Sequence, residues 1–160
     1  MRRLDFAIQM ENEGEQYYLS QAALHQTDPL HQVFEKLAHA EHRHADLLQK
    51  RAQNENYSLD DKMLECFKNV FDGLADFKSK DFYPPDQLAV YRLAIGLEQK
   101  SIELYQAMLN DAADENDRVL LKFLVDQEKI HLALFDELEI MLNRPVDWIE
   151  AAEFGKREEY

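Results

Sequence analysis

Six side chains of metal-binding type recur in one pattern in this sequence. Glu11 precedes Glu41-His42-Arg43-His44, and Glu98 precedes Glu128-Lys129-Ile130-His131. A glutamate and a histidine three residues apart lie on adjacent turns of one helix face, so both can reach a single ion. Carboxylates can also bridge two ions, with an imidazole completing each. A carboxylate buried alone in apolar surroundings costs several kcal/mol, so four of them require cations. The matching inward positions offer no Lys or Arg. Two divalent ions would balance four carboxylates and two neutral imidazoles. An oxygen-rich set with one histidine per ion suits iron or manganese better than structural zinc, calcium or magnesium.

The two sets are one motif written twice. Ala7-Ile8-Gln9-Met10-Glu11 falls on Ala94-Ile95-Gly96-Leu97-Glu98, an offset of 87 residues from Ala7 to Ala94. The same offset carries Tyr18 onto Tyr105, Leu37 onto Leu124, and Leu47 onto Leu134. Unrelated helical stretches would not hold one register across these positions. Each half is therefore a helix bearing Glu, followed by a helix bearing Glu-x-x-His.

These residues need four helices to carry them. The first is expected from Leu4 to Leu24. The second follows Asp28-Pro29, a cap and a first-turn proline, and runs to about Arg51, with Phe34, Leu37, Glu41, His44 and Leu48 on one face. The third begins near Pro84-Pro85-Asp86, and the fourth runs from Asn116-Asp117 to just before Asn143-Arg144-Pro145. Between the second and third, Gln53 to Tyr83 is too long for a hairpin turn. Within it, Leu59 to Ala75 reads as a short helix with Met63, Cys66, Phe67, Val70, Phe71 and Leu74 at helical spacing. The expected fold is all-α: a ferritin-like four-helix bundle with one long crossover containing a short helix, built from two repeated helix pairs. The bundle is expected over residues 1–144. Residues 145–160 are expected to form a tail whose Trp148, Ile149 and Phe154 fold back as an amphipathic segment.

Composition narrows the function. A chain of 160 residues has room for one compact domain, and its 46% hydrophobic and 31% charged residues are those of a globular protein. The net charge of −14 argues against nucleic acid and anionic membranes, and suits the attraction of cations. Cys66 is the only cysteine, so no intramolecular disulfide or Cys-x-x-Cys metal site is possible. With no signal peptide and no membrane span in view, the expected compartment is the cytoplasm.

Other residues carry two readings. Tyr18 and Tyr105 share the faces of Glu11 and Glu98. Their preferred role is to hydrogen-bond a buried carboxylate, the alternative being electron donation during oxidation. Gly14 and Ser101 are repeat partners one turn beyond the ligand glutamates. They either leave room for an oxidant or only let helices pack closely, and the sequence does not choose. His31, His39 and His42 share a face with Glu35 that points away from the site. Solvent or a dimer contact accounts for them better than a metal-entry patch does. His25 is expected at the surface, and Cys66 as a small hydrophobe in the crossover.

From Leu4 to Leu142 the chain resembles the rubrerythrin-like branch of the ferritin-like superfamily. The specific marks are Glu11 with Tyr18, His39-Ala40-Glu41-His42-Arg43-His44, Glu98 with Tyr105, and Asp126-Gln127-Glu128-Lys129-Ile130-His131. The resemblance implies that Glu11, Glu41, His44, Glu98, Glu128 and His131 bind two iron ions, with manganese or a mixed pair as variants. It also implies that the centre reduces peroxide or dioxygen. Two departures stand out. Rubrerythrins typically add a four-cysteine rubredoxin domain; without one, electrons would come from a separate, rubredoxin-type carrier. Rubrerythrins also usually carry a further Glu three residues after the ligand of the third helix, where this chain has Ser101. The resulting symmetric set is closer to ferritins, so iron oxidation, storage or delivery is the alternative function. A homodimer is the expected assembly.

Overall fold

The computed structural model describes residues 3–27, 30–60, 62 and 86–143. Among the described residues the fold has four helices: α1 (Arg3–Leu24), α2 (Leu30–Ala52), α3 (Asp86–Asp111) and α4 (Glu115–Asn143). The described residues contain no strand, and the architecture is the expected all-α, ferritin-like four-helix bundle. Among the described residues no helix is long and apolar enough to cross a membrane. Leu59, Asp60 and Lys62, at the expected start of the short crossover helix, are not helical; the rest of that segment with Cys66, together with Asp28-Pro29 and the tail with Trp148, Ile149 and Phe154, lies outside the described residues.

Local chemistry sets the helix ends. At the end of α2, Asn54 adopts a left-handed conformation (φ 55°), which asparagine tolerates better than most residues. The Glu55 N–H then bonds the Lys50 carbonyl at 2.8 Å and the Asn54 N–H bonds the Arg51 carbonyl at 3.2 Å, closing a Schellman motif. α4 opens on Asp114 rather than at Asn116-Asp117. The Asp114 Oδ1 accepts the backbone N–H groups of Asn116 at 2.7 Å and Asp117 at 3.4 Å, capping the first turn.

Each helix turns one stripe inward. In α1 the stripe is Ala7, Glu11, Tyr18 and Ala22, a spacing that returns to the same face. The stripes meet in two apolar layers. One holds Tyr18 and Ala22 of α1, Phe34 and Leu37 of α2, Tyr91 and Ala94 of α3, and Leu134, Phe135 and Leu138 of α4. The other holds Ala7, Leu47 and Leu48, Tyr105 and Met108, and Leu120, Leu121, Leu124 and Val125. Reading each helix from one layer to the other gives its direction. α1 and α4 run one way, α2 and α3 the other. α2 thus finishes at the opposite end of the bundle from where α3 starts, which is ferritin-like connectivity. Between the layers, every helix contributes Glu or Glu-x-x-His.

His25 departs from expectation. It is not at the surface but 8% exposed, with its ring stacked on Phe34 at 5.4 Å. Its backbone N–H is bonded to Gln21 and Ala22, which winds the chain inward at the end of α1.

Candidate metal centre

α2 reaches the polar layer with Glu41 and His44 set in an otherwise apolar stripe between Leu37 and Leu48. The apolar positions on either side fix the helix face, so these two side chains have nowhere to go but inward. Glu128 and His131 do the same on α4, between Leu124 and Leu134. α1 and α3 supply Glu11 and Glu98. All six residues are at most 4% exposed.

The six converge as two overlapping groups. Glu11, Glu41, His44 and Glu128 bring ligand atoms within 4.8 Å of one another, and so do Glu41, Glu98, Glu128 and His131. Glu41 and Glu128 belong to both groups, and each group has its own outer glutamate and histidine. The arrangement is close to twofold. His44 Nδ1 lies 3.0 Å from Glu128 and 3.4 Å from Glu11, while His131 Nδ1 lies 3.1 Å from Glu41 and 3.4 Å from Glu98. The imidazole rings are nearly parallel, their centroids 5.6 Å apart.

Glu11 Oε2, Glu41 Oε1, both Glu128 oxygens and His44 Nδ1 are buried and make no hydrogen bond, despite ion-pair distances. Buried polar atoms left this way cost free energy unless something else satisfies them. A cation among them would do so, and among the described residues no Lys or Arg is buried. The cluster is therefore of a kind that can hold metal.

In the protein alone, protons do part of that work. Burial raises Glu11 and Glu98 well above the ordinary carboxylate range, reinforced in each by the charge of Glu41. Burial pushes Glu41 and Glu128 the same way, and in Glu41 the charge of Glu128 adds to it, but their close neighbours outweigh it. Contacts with Glu11, His131 and His44 bring Glu41 down to about 2, and the charge of His44 leads in holding Glu128 low. His44 and His131 are themselves raised. Burial opposes this, and the charges of Glu128 and Glu98 respectively override it. Opposing shifts of this kind mark a layer in which buried acids and bases share protons when no cation is present, and metal binding would compete with those protons.

Tyr18 and Tyr105 hold the outer glutamates, but crosswise. Tyr18 donates to Glu98 Oε1, and Tyr105 donates to Glu11 Oε1. Each reaches the opposite half because α1 and α3 run antiparallel, which puts the glutamate of one beside the tyrosine of the other. Burial raises both phenols, with the partner glutamates adding to it, so they keep the protons they donate. Sequence reasoning anticipated tyrosine bonded to a carboxylate; the crossing depends on helix direction and was not legible from one helix face.

The remaining histidines stay outside. His31 pairs with Glu35 at 3.2 Å and His42 with Glu15 at 3.2 Å, both on the outer face, and His39 is exposed. Two supporting residues escaped the sequence reading. Arg51 bonds Asp117 at 2.6 Å and pairs with Asp114 at 3.2 Å, tying the end of α2 to the start of α4. Met10 receives the Ser101 hydroxyl at 3.6 Å. Arg51 gave a signal as a last-turn cation, but its partners are 63 and 66 residues away and only the fold brings them near.

The model of the family described as Rubrerythrin matches residues 3–139, from the first turn of α1 nearly to the end of α4. No curated protein and no solved structure matches the chain. The match spans both repeats and all six converging side chains, and the chain belongs to the rubrerythrin family.

Proposed function

We propose that this protein is a non-haem di-iron oxidoreductase that reduces peroxide or dioxygen with electrons from a separate donor. The observation that carries the reading is the pair of overlapping ligand groups sharing Glu41 and Glu128. Glu41 and Glu128 would be shared by the two ions, Glu11 and His44 would help hold one, and Glu98 and His131 the other. Iron is the proposed metal, with manganese or a mixed pair compatible with the same donors. Two ferrous ions would supply two electrons, which with two protons convert hydrogen peroxide to two water molecules.

The chain's own residues prepare that chemistry. Tyr18 Oη and Tyr105 Oη fix one oxygen of Glu98 and Glu11, leaving the other oxygen turned into the layer. The apolar layers on either side exclude bulk water, which strengthens each electrostatic contact inside. Cys66 alone cannot form an iron–tetrathiolate site within these residues, so a separate carrier, such as a rubredoxin-type protein, is the proposed donor. A cytoplasmic homodimer is the proposed form.

Anaerobic protein loaded with two iron(II) per chain should consume one peroxide per iron pair, far faster than free iron(II) does. Oxidation no faster than that of free iron would sink the proposal. Ser101, at the position where rubrerythrins usually place a further glutamate, favours a second reading as an iron-oxidising storage or delivery protein. That reading requires retention of far more than two irons per chain.

A further inference from the structure

Gly14 stands one turn beyond Glu11, on the flank of α1 that meets α2. A side-chain carbon built there would lie 3.4 Å from Glu41 Cγ and 3.5 Å from both its Cδ and Oε2. These are ordinary contact distances, so alanine would fit. Alanine is also the better helix former. Packing therefore does not demand glycine at this position, yet the space its missing side chain leaves lies directly against the carboxylate shared by both ligand groups.

The two halves differ at this place. The repeat carries Gly14 onto Ser101, which is buried and whose hydroxyl is bonded to the Leu97 carbonyl and Met10. Gly14 itself is only partly buried. The Glu41 side chain is 5% exposed, the Glu98 side chain 3%, and those of Glu11 and Glu128 are fully buried. Glu41 Oε1 is also among the buried atoms without a hydrogen bond. Of the four glutamates, the most exposed is thus Glu41, the one beside Gly14.

We propose that Gly14 sets small-molecule access to the centre: the gap it leaves against Glu41 admits a ligand of two or three atoms to the metals. The inference rests on the two-metal reading of the site. Gly14 is a specificity-determining position and takes no part in the chemistry. Gly96 provides the control, since a side-chain carbon there would meet nothing within 4 Å.

The test uses cobalt(II) as the metal probe and azide as the ligand probe, on the full chain and on Gly14→Ala, Gly14→Ser and Gly96→Ala. Cobalt titration followed by its visible bands reports the centre without turnover. All four proteins should bind cobalt with the same stoichiometry, and both alanine variants should melt at the same temperature as the parent or higher. Azide should then bind Gly14→Ala at least 10-fold more weakly than the parent, Gly14→Ser more weakly still, and Gly96→Ala as the parent does. Azide affinity within twofold of the parent in cobalt-loaded Gly14→Ala overturns the access role while leaving the metal centre intact. Loss of cobalt from Gly14→Ala also overturns it, because Gly14 would then be shaping the ligands themselves. A parent that binds no cobalt at all removes the metal reading, and this inference with it.

Discussion

The apolar layers and the polar layer between them are built from the same four helices under opposite rules. In the layer around Phe34 and Phe135, each side chain is satisfied by its neighbours: Tyr18 stacks on Phe34 at 6.3 Å and on Phe135 at 5.9 Å. In the polar layer the side chains approach within 3.0–3.4 Å, yet several donor atoms remain without a hydrogen bond. The apolar layers are complete in the protein alone. The polar layer is complete only with protons or with cations. The contrast separates what folds the chain from what the folded chain is for.

That separation breaks most readily in an apolar layer. Phe135 is fully buried and touches both Tyr18 and Tyr91. Phe135→Ala should cost about 3–5 kcal/mol through lost burial and the cavity left behind. Urea denaturation with and without manganese(II) should give the same loss. A loss appearing only in the metal-loaded protein would mean the layers are not independent.

In the polar layer the sign of the effect should depend on metal. At a free metal concentration 100 times its dissociation constant, binding should stabilise the fold by about 2.7 kcal/mol. Glu128 lies 3.0 Å from His44 and 3.2 Å from His131 and belongs to both ligand groups, so Glu128→Gln should abolish most of that gain. Thermal melts with and without manganese(II) measure it. An undiminished gain in the variant would remove Glu128 from the site.

The crossed tyrosines should give a smaller effect. Tyr105→Phe and Tyr18→Phe each free one oxygen of an outer glutamate, and loss of such a support typically weakens metal affinity about 10–100-fold. Chelator competition should give matching losses for the two variants. A loss in only one would show that the halves are not equivalent in function.

Much of this contrast was already legible in the sequence. Glu and His at helical spacing inside apolar stripes marked the polar layer, and the repeat showed that the two halves share a register. The apolar layers followed from the same stripes. What remained hidden depends on which helices run alongside each other. Tyr18 meets Glu98 because α1 and α3 are antiparallel, and Arg51 meets Asp117 because α2 ends where α4 begins. His25 was misplaced because a histidine near a helix end gives no sign that the turn will fold it onto Phe34. Periodicity fixes the face a residue takes on its own helix but carries no information about the partner opposite.

The last effect expected is the pH dependence of the metal-free protein, where the shifts within the polar layer oppose one another only at acid pH. Glu11 and Glu98, raised from 4.5, stabilise the fold fully below that value, and lose the contribution as pH rises through their folded values. His44 and His131, raised from 6.5, do the same from a higher starting point. Glu41 and Glu128, lowered from 4.5, contribute above that value and lose the contribution as pH falls, for Glu41 towards about 2. Above 6.5 only losses remain, so the metal-free protein should become less stable as pH rises. Metal binding runs the other way, since each proton it must expel is easier to remove at higher pH. The gain in melting temperature on adding manganese(II) should therefore widen from about pH 5.5 to about pH 8. A gain that stays constant over that range would show that the layer holds no protons for the metal to displace.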